Sequence, residues 1–358
     1  MVMKNMQFVV GGEPTISLSS VFSKRTGEFS KYGSDLQGYN RYYTFGAYYS
    51  LKVIIESLNW KTTDFVLLPS YLCPSILMPF KEAGVRYKFF KMLEGLEPDT
   101  EDIRSHMDKD LRAILFIDYF GYPYRDILSP FLDELHSNKT MIIQDTVQSW
   151  LDNQEYLYGD VCFNSVRKYT PYEGSVLLSK KTLEIKHTRS CNSSFVFHKR
   201  FAQHVRHYHL KYGWFKPRTF LKHIDMANSV YHQPGIINLP SINHFMLNKL
   251  DFDEMARNRK QVYDSLLVGC RVKPLLKHPV DSFVPLGLAI YVENRNEVRS
   301  ELFRHNVYCP IHWLLSSEID KKCYAVSCDV QDHELTLPIS IDPKYIERYI
   351  IILNEVLM

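Results

Sequence analysis

Apolar residues follow two rhythms along this chain. One is helical: within 47–58, Leu51, Ile54, Ile55 and Leu58 recur at spacings of three and four, which puts them on one stripe of a helix. The other is a short unbroken run. Phe65-Val-Leu-Leu68, closed by Pro69, is one such run; 113–117 and 141–143 are the apolar parts of strands read over 112–117 and 140–143, and 85–90 reads as a further strand. Runs of this kind predict strands covered on both faces. Between them the pattern predicts helices over 74–83, 100–106 and 126–136. The first has proline in its opening turn and Gly84 just past its end, the usual asymmetry of helix punctuation. Alternating strands and helices predict an α/β fold built on a mostly parallel sheet flanked by helices. In such folds ligands bind beyond the carboxyl ends of the strands. The residues expected there are Pro69-Ser70-Tyr71, Asp118-Tyr119-Phe120-Gly121, Gln144-Asp145-Thr146-Val147-Gln148 and Asn164-Ser165-Val166-Arg167-Lys168.

From about 183 to 237 the pattern weakens, and His, Tyr and basic residues dominate. A long helical pattern covers 241–267. Then follow a strand at 288–292, a helix at 295–305, a strand at 335–337 and a helix at 343–357. This predicts a large domain over 1–240, with an N-terminal arm and an irregular insertion at 183–237, and a smaller C-terminal α/β domain over 241–358.

Composition narrows the function classes. The 358 residues are 45% hydrophobic and 23% charged, with a net charge of only +3, which gives no electrostatic reason to expect nucleic acid or membrane as partner. The 24 Tyr and 21 Phe supply material for large cores and subunit interfaces. The seven cysteines, an odd number without CxxC spacing, read as free thiols of a reducing cytoplasm. No apolar run reaches the length of a membrane span, and the first fifteen residues lack a secretory pattern.

A lone acid after a buried strand is commonly a cap, and a lone lysine is commonly on the surface. The ordered set Asp145, Gln148, Ser165 and Lys168 suits pyridoxal phosphate (PLP) chemistry. That chemistry needs a lysine amine to hold the aldehyde covalently. It needs a carboxylate to keep the pyridine nitrogen protonated, so that the ring accepts electrons. It also needs hydroxyl and backbone N–H groups to hold a phosphate at a helix N-terminus.

With these residues in place, the sequence resembles fold-type I PLP-dependent enzymes, and among them the DegT/StrS-type sugar aminotransferases. The likeness runs through Gly11-Gly-Glu-Pro14, Phe45-Gly-Ala47, Leu67-Leu-Pro-Ser-Tyr-Leu-Cys73, Asp118-Tyr-Phe-Gly121, Gln144-Asp-Thr-Val-Gln148, Gly159-Asp160, Ser165-Val-Arg-Lys168 and Glu173-Gly174. Toward the end it includes Asn294-Arg295, Cys309-Pro-Ile-His-Trp313 and Leu335-Thr-Leu-Pro338. The resemblance implies that Lys168 binds PLP and moves the proton, and that Asp145 pairs with the pyridine nitrogen. It puts Gln148 near the ring oxygen or the phosphate side. Ser165 and the backbone of Gly46 and Ala47 would hold phosphate, and Tyr71 or Cys73 would lie near the ring face. The implied reaction moves an amino group, from an amino acid such as glutamate, to a keto-sugar carried on a nucleotide, as in polysaccharide biosynthesis. A homodimer with its site at the subunit interface is implied as well.

Two other readings stay open. One keeps PLP but changes the reaction to a dehydration or a lyase step; a retained lysine argues against it. The other is a regulatory or scaffold protein that has lost PLP, for which Phe45 and Ala47, standing where hydroxyl residues are usual, are the support. His204 and His207 could share a helix face, but no Cys or carboxylate sits near enough in sequence to complete a metal site, and none is expected. The basic run of His198, Lys199, Arg200, His204, Arg206, His207 and Lys211 is expected either to be solvated or to bring positive charge toward a neighbouring subunit's pocket.

Overall fold

The computed structural model describes residues 8–17, 29, 38–149, 157–185, 188–276 and 284–357. Seven strands form its main sheet: β1 (Asn40–Thr44), β2 (Phe65–Pro69), β3 (Arg86–Phe90), β4 (Leu111–Ile117), β5 (Met141–Asp145), β6 (Val161–Phe163) and β7 (Ser175–Ser179). Their spatial order is β1-β7-β6-β5-β4-β2-β3. Strands β2 to β6 are mutually parallel, and β7 runs against both of its neighbours. The apolar runs are the buried centre of this sheet. Phe65 to Leu68 and Ala113 to Ile117 are almost wholly removed from water, at about 1.5–3 kcal/mol for each large side chain.

Four helices follow the predicted pattern: α1 (Ala47–Ser57), α2 (Leu77–Glu82, entered through a 3₁₀ turn at Pro74–Ile76), α3 (Thr100–Ser105) and α4 (Arg125–Ser137). Helix α3 begins where Asp99 accepts hydrogen bonds from the amides of Glu101 and Asp102, an N-cap. Gly84, just past α2, has φ +67°, a conformation glycine adopts without steric penalty.

The register sets the site. Ile117 pairs with Asp145, and Asp145 pairs with Phe163. The carboxyl ends of β4, β5 and β6 therefore finish level, and the residues that follow them open on one edge.

Three expectations need correction. The weakly patterned region is not irregular throughout: it holds the helices α5 (Ser193–Tyr212) and α6 (Pro217–Asn228), packed on each other. The pattern over 241–267 is not one helix but two, α7 (Ser241–Leu247) and α8 (Phe252–Gly269). The break has a local cause, because Asp251 accepts from the Glu254 amide at 2.8 Å and caps a new helix. The pattern also gave no sign of β1 or of helix 325–333.

Downstream, Gly287–Tyr291 (β8) pairs antiparallel with Glu334–Pro338 (β9). Helices α8, α9 (Arg295–Arg304), α10 (Ala325–His333) and α11 (Ile346–Leu357) belong to this part of the chain. It has its own core, with Val262, Leu266, Leu288, Ile290, Leu302, Leu335, Leu337 and Leu353. The N-terminal segment joins it: Val10–Gly11 pairs parallel with Val307–Tyr308, and Phe8 enters the same core. All seven cysteines are free. Among the described residues no helix is long and apolar enough to cross a membrane.

Candidate active site

A cavity of about 290 Å3 opens at the level strand ends, lined by Ala47, Cys73, Asp145, Gln148, Ser165 and Lys168 among others. Six of the eight residues expected at the site thus meet there.

Lys168 closes a short 3₁₀ turn after β6, its amide donating to the Ser165 carbonyl at 3.2 Å. Burial, and then the neighbouring Arg167, push its amine down to about 8, while Cys73 and Asp145 pull it back. A buried amine beside a cation loses much of the reason to stay charged. Asp145 is the last residue of β5 and only 3% exposed. Its carboxylate accepts from the Val147 amide at 2.8 Å. Burial raises it to about 7, with Asp118 adding to the rise and Lys168 opposing it.

Gln148 is held from two sides. Its side-chain carbonyl accepts from the Phe120 amide at 2.6 Å, and Tyr169 donates to its backbone carbonyl. Its amide nitrogen is buried without a hydrogen-bond partner among the described residues, and an unsatisfied buried donor is costly. Ser165 is buried nearby.

Gly46 is the N-cap of α1 and does not itself line the cavity; Ala47 and Tyr48, the first two helical residues, do. A Cβ on Gly46 would lie 2.5 Å from the Tyr231 hydroxyl, so only glycine lets that ring close over the start of α1. Phe45, found where a hydroxyl residue was expected, turns away. It is fully buried against Phe195 and Tyr231, with ring centroids 5.0 and 5.4 Å apart.

Tyr71 is not at the cavity. It is buried with Tyr119 and Trp313, each 5.6 Å away between ring centroids. Trp313 lines the cavity in its place. The strand-end position of Tyr71 was legible, but the layer of rings that covers it was not. Cys73, two residues on, does reach the lining, with its sulfur 3.0 Å from the Ser75 hydroxyl.

Sequence reasoning gave no site role to Arg167 or Glu173 and missed Tyr231 and His232, all of which line this cavity. The Arg167 side chain is 52% exposed, lies 3.7 Å from the buried Glu173 carboxylate, and sits over the Tyr231 ring. Lys199 bridges Glu13 and Glu173. The basic run is thus divided. Lys199 faces this cavity, Arg200 lies on the Tyr172 ring and His204 contacts the Ile16 carbonyl. Arg206 donates to the Glu13 carbonyl of its own chain and lines a second, more open cavity of about 810 Å3. Arg167 and Lys168 line both cavities. No group of three potential metal ligands occurs among the described residues.

No family model matches the sequence, and no curated protein matches it. Solved structures do match its fold. Spr1654 of Streptococcus pneumoniae, assigned as a sugar aminotransferase and solved in its PMP form, superposes with a TM-score of 0.69 at 14% identity, over 97% of this chain and 98% of that one. The aminotransferase TlmJ of Streptoalloteichus hindustanus gives 0.68 at 15% identity, over 98% and 99%. The sugar aminotransferase CalS13 of Micromonospora echinospora gives 0.64 at 13%, over 97% and 100%. The level strand ends, the single reversed strand β7 and these superpositions along the whole chain agree: this protein has the fold of the PLP-dependent aminotransferases of fold type I.

Proposed function

We propose that the chain is a PLP-dependent aminotransferase that moves an amino group from an amino acid, glutamate by preference, to a keto-sugar, in nucleotide-linked form. The observation that carries this reading is the meeting of Lys168 and Asp145 at one cavity that also receives the start of α1. Spr1654, solved in both PLP and PMP forms, supports it. The residues fit the cofactor on two counts. The Gln148 amide nitrogen lacks a partner among the described residues, and Ala47 and Tyr48, the first two residues of α1, line the cavity beside Lys168.

When bound, PLP supplies an aldehyde that an amine can hold and a protonated ring that accepts an electron pair. Lys168 would hold the aldehyde carbon and, once displaced by the donor amine, take the proton from the donor's α-carbon and return it later. Its lowered basicity leaves part of the population uncharged near neutral pH, as a nucleophile requires. Asp145 would keep the ring nitrogen protonated. The first amides of α1, with Ser165, would hold the phosphate. Cys73 and Gln148 would border the ring. Arg167 and Lys199 would offer positive charge to the donor's carboxylate or to the acceptor's phosphates.

Borohydride reduction of the PLP-loaded protein, followed by peptide mapping, is expected to place the pyridoxyl label on Lys168. Lys168→Ala is expected to fold and to lose about 10⁴-fold in turnover, the upper end for a positioned proton-transfer group. A label on any other lysine would sink the assignment.

We also propose a homodimer formed through α5 and α6. This hairpin leaves Phe197, Tyr212, Trp214, Phe215 and Leu221 in water, apolar side chains that a partner surface would cover. Sedimentation at micromolar concentration is expected to show a dimer that Trp214→Glu dissociates; a fully active monomer would refute it. Arg206→Glu is expected to weaken acceptor binding and to reduce its salt dependence.

A further inference from the structure

The second cavity holds a group that the aminotransferase reading leaves unused. His312 lines it together with Lys168 and is only 6% exposed; burial first, and then the charge on Lys168, hold its imidazole well below its ordinary value, so it rests neutral. Behind it lies a buried polar chain. The His312 backbone amide donates to one oxygen of Glu334 at 2.6 Å. The Thr336 hydroxyl donates to the other oxygen of Glu334. His312 Nδ1 lies 2.8 Å from the same hydroxyl. Both Glu334 and Thr336 are buried. Burial pushes the Glu334 carboxyl up to about 7, opposed by its bonds from Thr336 and the His312 amide and by the charge of Arg295, so above pH 7 it is an ionised acceptor.

Hydrogen bookkeeping fixes the imidazole. A hydroxyl has one proton to donate, and Thr336 gives it to Glu334. Toward His312 the oxygen can only accept, so Nδ1 must carry the ring proton. Nε2 is then left with a lone pair. His312 lines the cavity beside Lys168 and four arginines, which cannot accept a proton; Glu13 and His207 line it too, and the Glu13 carboxylate is already paired with Lys199. A base oriented by a third group is a recurring arrangement in proton-transfer sites.

We propose that His312 is a second catalytic base, held in its Nδ1–H tautomer by the positioning residues Thr336 and Glu334, and that it takes a proton from the amino donor. This rests on the aminotransferase reading. An amino acid arrives as an ammonium ion and cannot attack carbon until one N–H proton leaves. Lys168, engaged with the aldehyde, is not free to take it. The proton passes to His312 Nε2, and the N–H electron pair stays on nitrogen as the attacking lone pair. The imidazolium so formed is balanced by Glu334 through Thr336. It later gives the proton to the acceptor's keto oxygen, as one of the two that oxygen needs to leave as water. No electrons are exchanged with any other reactant.

The test uses the full chain labelled with 15N-histidine, at pH 8, with the His312 signals assigned by their loss in His312→Asn. Wild type is expected to show a protonated Nδ1 and a bare Nε2. In Glu334→Gln the new amide donates to Thr336, which then donates to Nδ1, so the proton is expected to move to Nε2. If that variant does not fold, Thr336→Val is expected to release the tautomer and Thr336→Ser to keep it. A wild-type His312 protonated at Nε2 overturns the positioning role. With PLP and glutamate, His312→Asn is expected to lower kcat about 10²-fold, the lower end for a general base, with KM changed less than about threefold. An unchanged kcat overturns the catalytic role. If wild type itself fails to transaminate, the function reading falls, while the ring-nitrogen signals still judge the tautomer.

Discussion

Asp118 and Asp145 make an instructive pair. Each follows or ends a parallel strand, each is almost completely buried, and burial raises each to about 7. Their surroundings differ. Asp118 is enclosed by its own chain: Gln144 donates at 2.7 Å, Ser149 at 3.2 Å and Tyr158 at 3.3 Å. Asp145, one strand away, has a single amide donor among the described residues, at 2.8 Å, and lines the cavity that holds Lys168. A carboxylate that the fold has fully satisfied is there for the fold. One left underprovided in the same low-dielectric layer has capacity reserved for a ligand cation, a role the pyridinium of PLP would fill.

Paired substitutions would break this contrast if it is wrong. The largest effect is expected from Asp145→Asn: PLP stays bound, but kcat falls about 10²–10³-fold, the scale of a lost preorganised electrostatic partner. Near-normal turnover would remove the role assigned to it. Asp118→Asn is expected to reverse the pattern, with turnover nearly kept and stability lowered by about 1–3 kcal/mol as its donors lose a partner. Denaturant titration of both variants measures this.

The smallest effect is on pH dependence. Each carboxyl has a folded-state value near 7 against an ordinary 3.8. Between those limits the folded state binds more protons than the unfolded one, so stability falls as pH rises from about 4 to about 7. In the PLP-free protein either Asn variant is expected to flatten the decline in Tm over that window. With PLP bound, the pyridinium removes the penalty on Asp145 but not that on Asp118. Asp145→Asn is then expected to stop affecting the slope while Asp118→Asn still does. Equal slopes in the two loaded variants would erase the distinction.

These two carboxylates also mark how far the sequence could be read. Strand ends were legible because 65–68 and 113–117 are unbroken apolar runs, and their buried centre leaves no other assignment. Asp145, Gln148, Ser165 and Lys168 follow such runs, so their convergence could be anticipated. Helix α5 could not, because its inner face is built from Phe195, Ala202, Gln203 and Val205, too mixed for an apolar stripe. Its punctuation was nevertheless present: Asn192 caps it, Gly213 ends it in the left-handed conformation and Pro217 opens α6. Trp313 and Tyr231 were missed for another reason. They reach the cavity from segments remote in sequence, and no local pattern encodes such a contact. Tyr71 was misplaced because its strand-end position says nothing of the Tyr119 and Trp313 rings that cover it.

The pairing of Val10–Gly11 with Val307–Tyr308 bears on how the molecule is made. The first described strand finds its partner only after almost three hundred further residues exist. At the usual pace of synthesis that is a wait of about 15–60 s. Glu13, next to that strand, is the residue that Lys199 and Arg206 grip. On the ribosome the parallel sheet can begin to form early, but this wall of the second cavity stays open until residues 307–308 have been made. Completion of that cavity is therefore a late event in the synthesis of each new chain, and a ribosome stalled before residue 307 would hold a sheet without it.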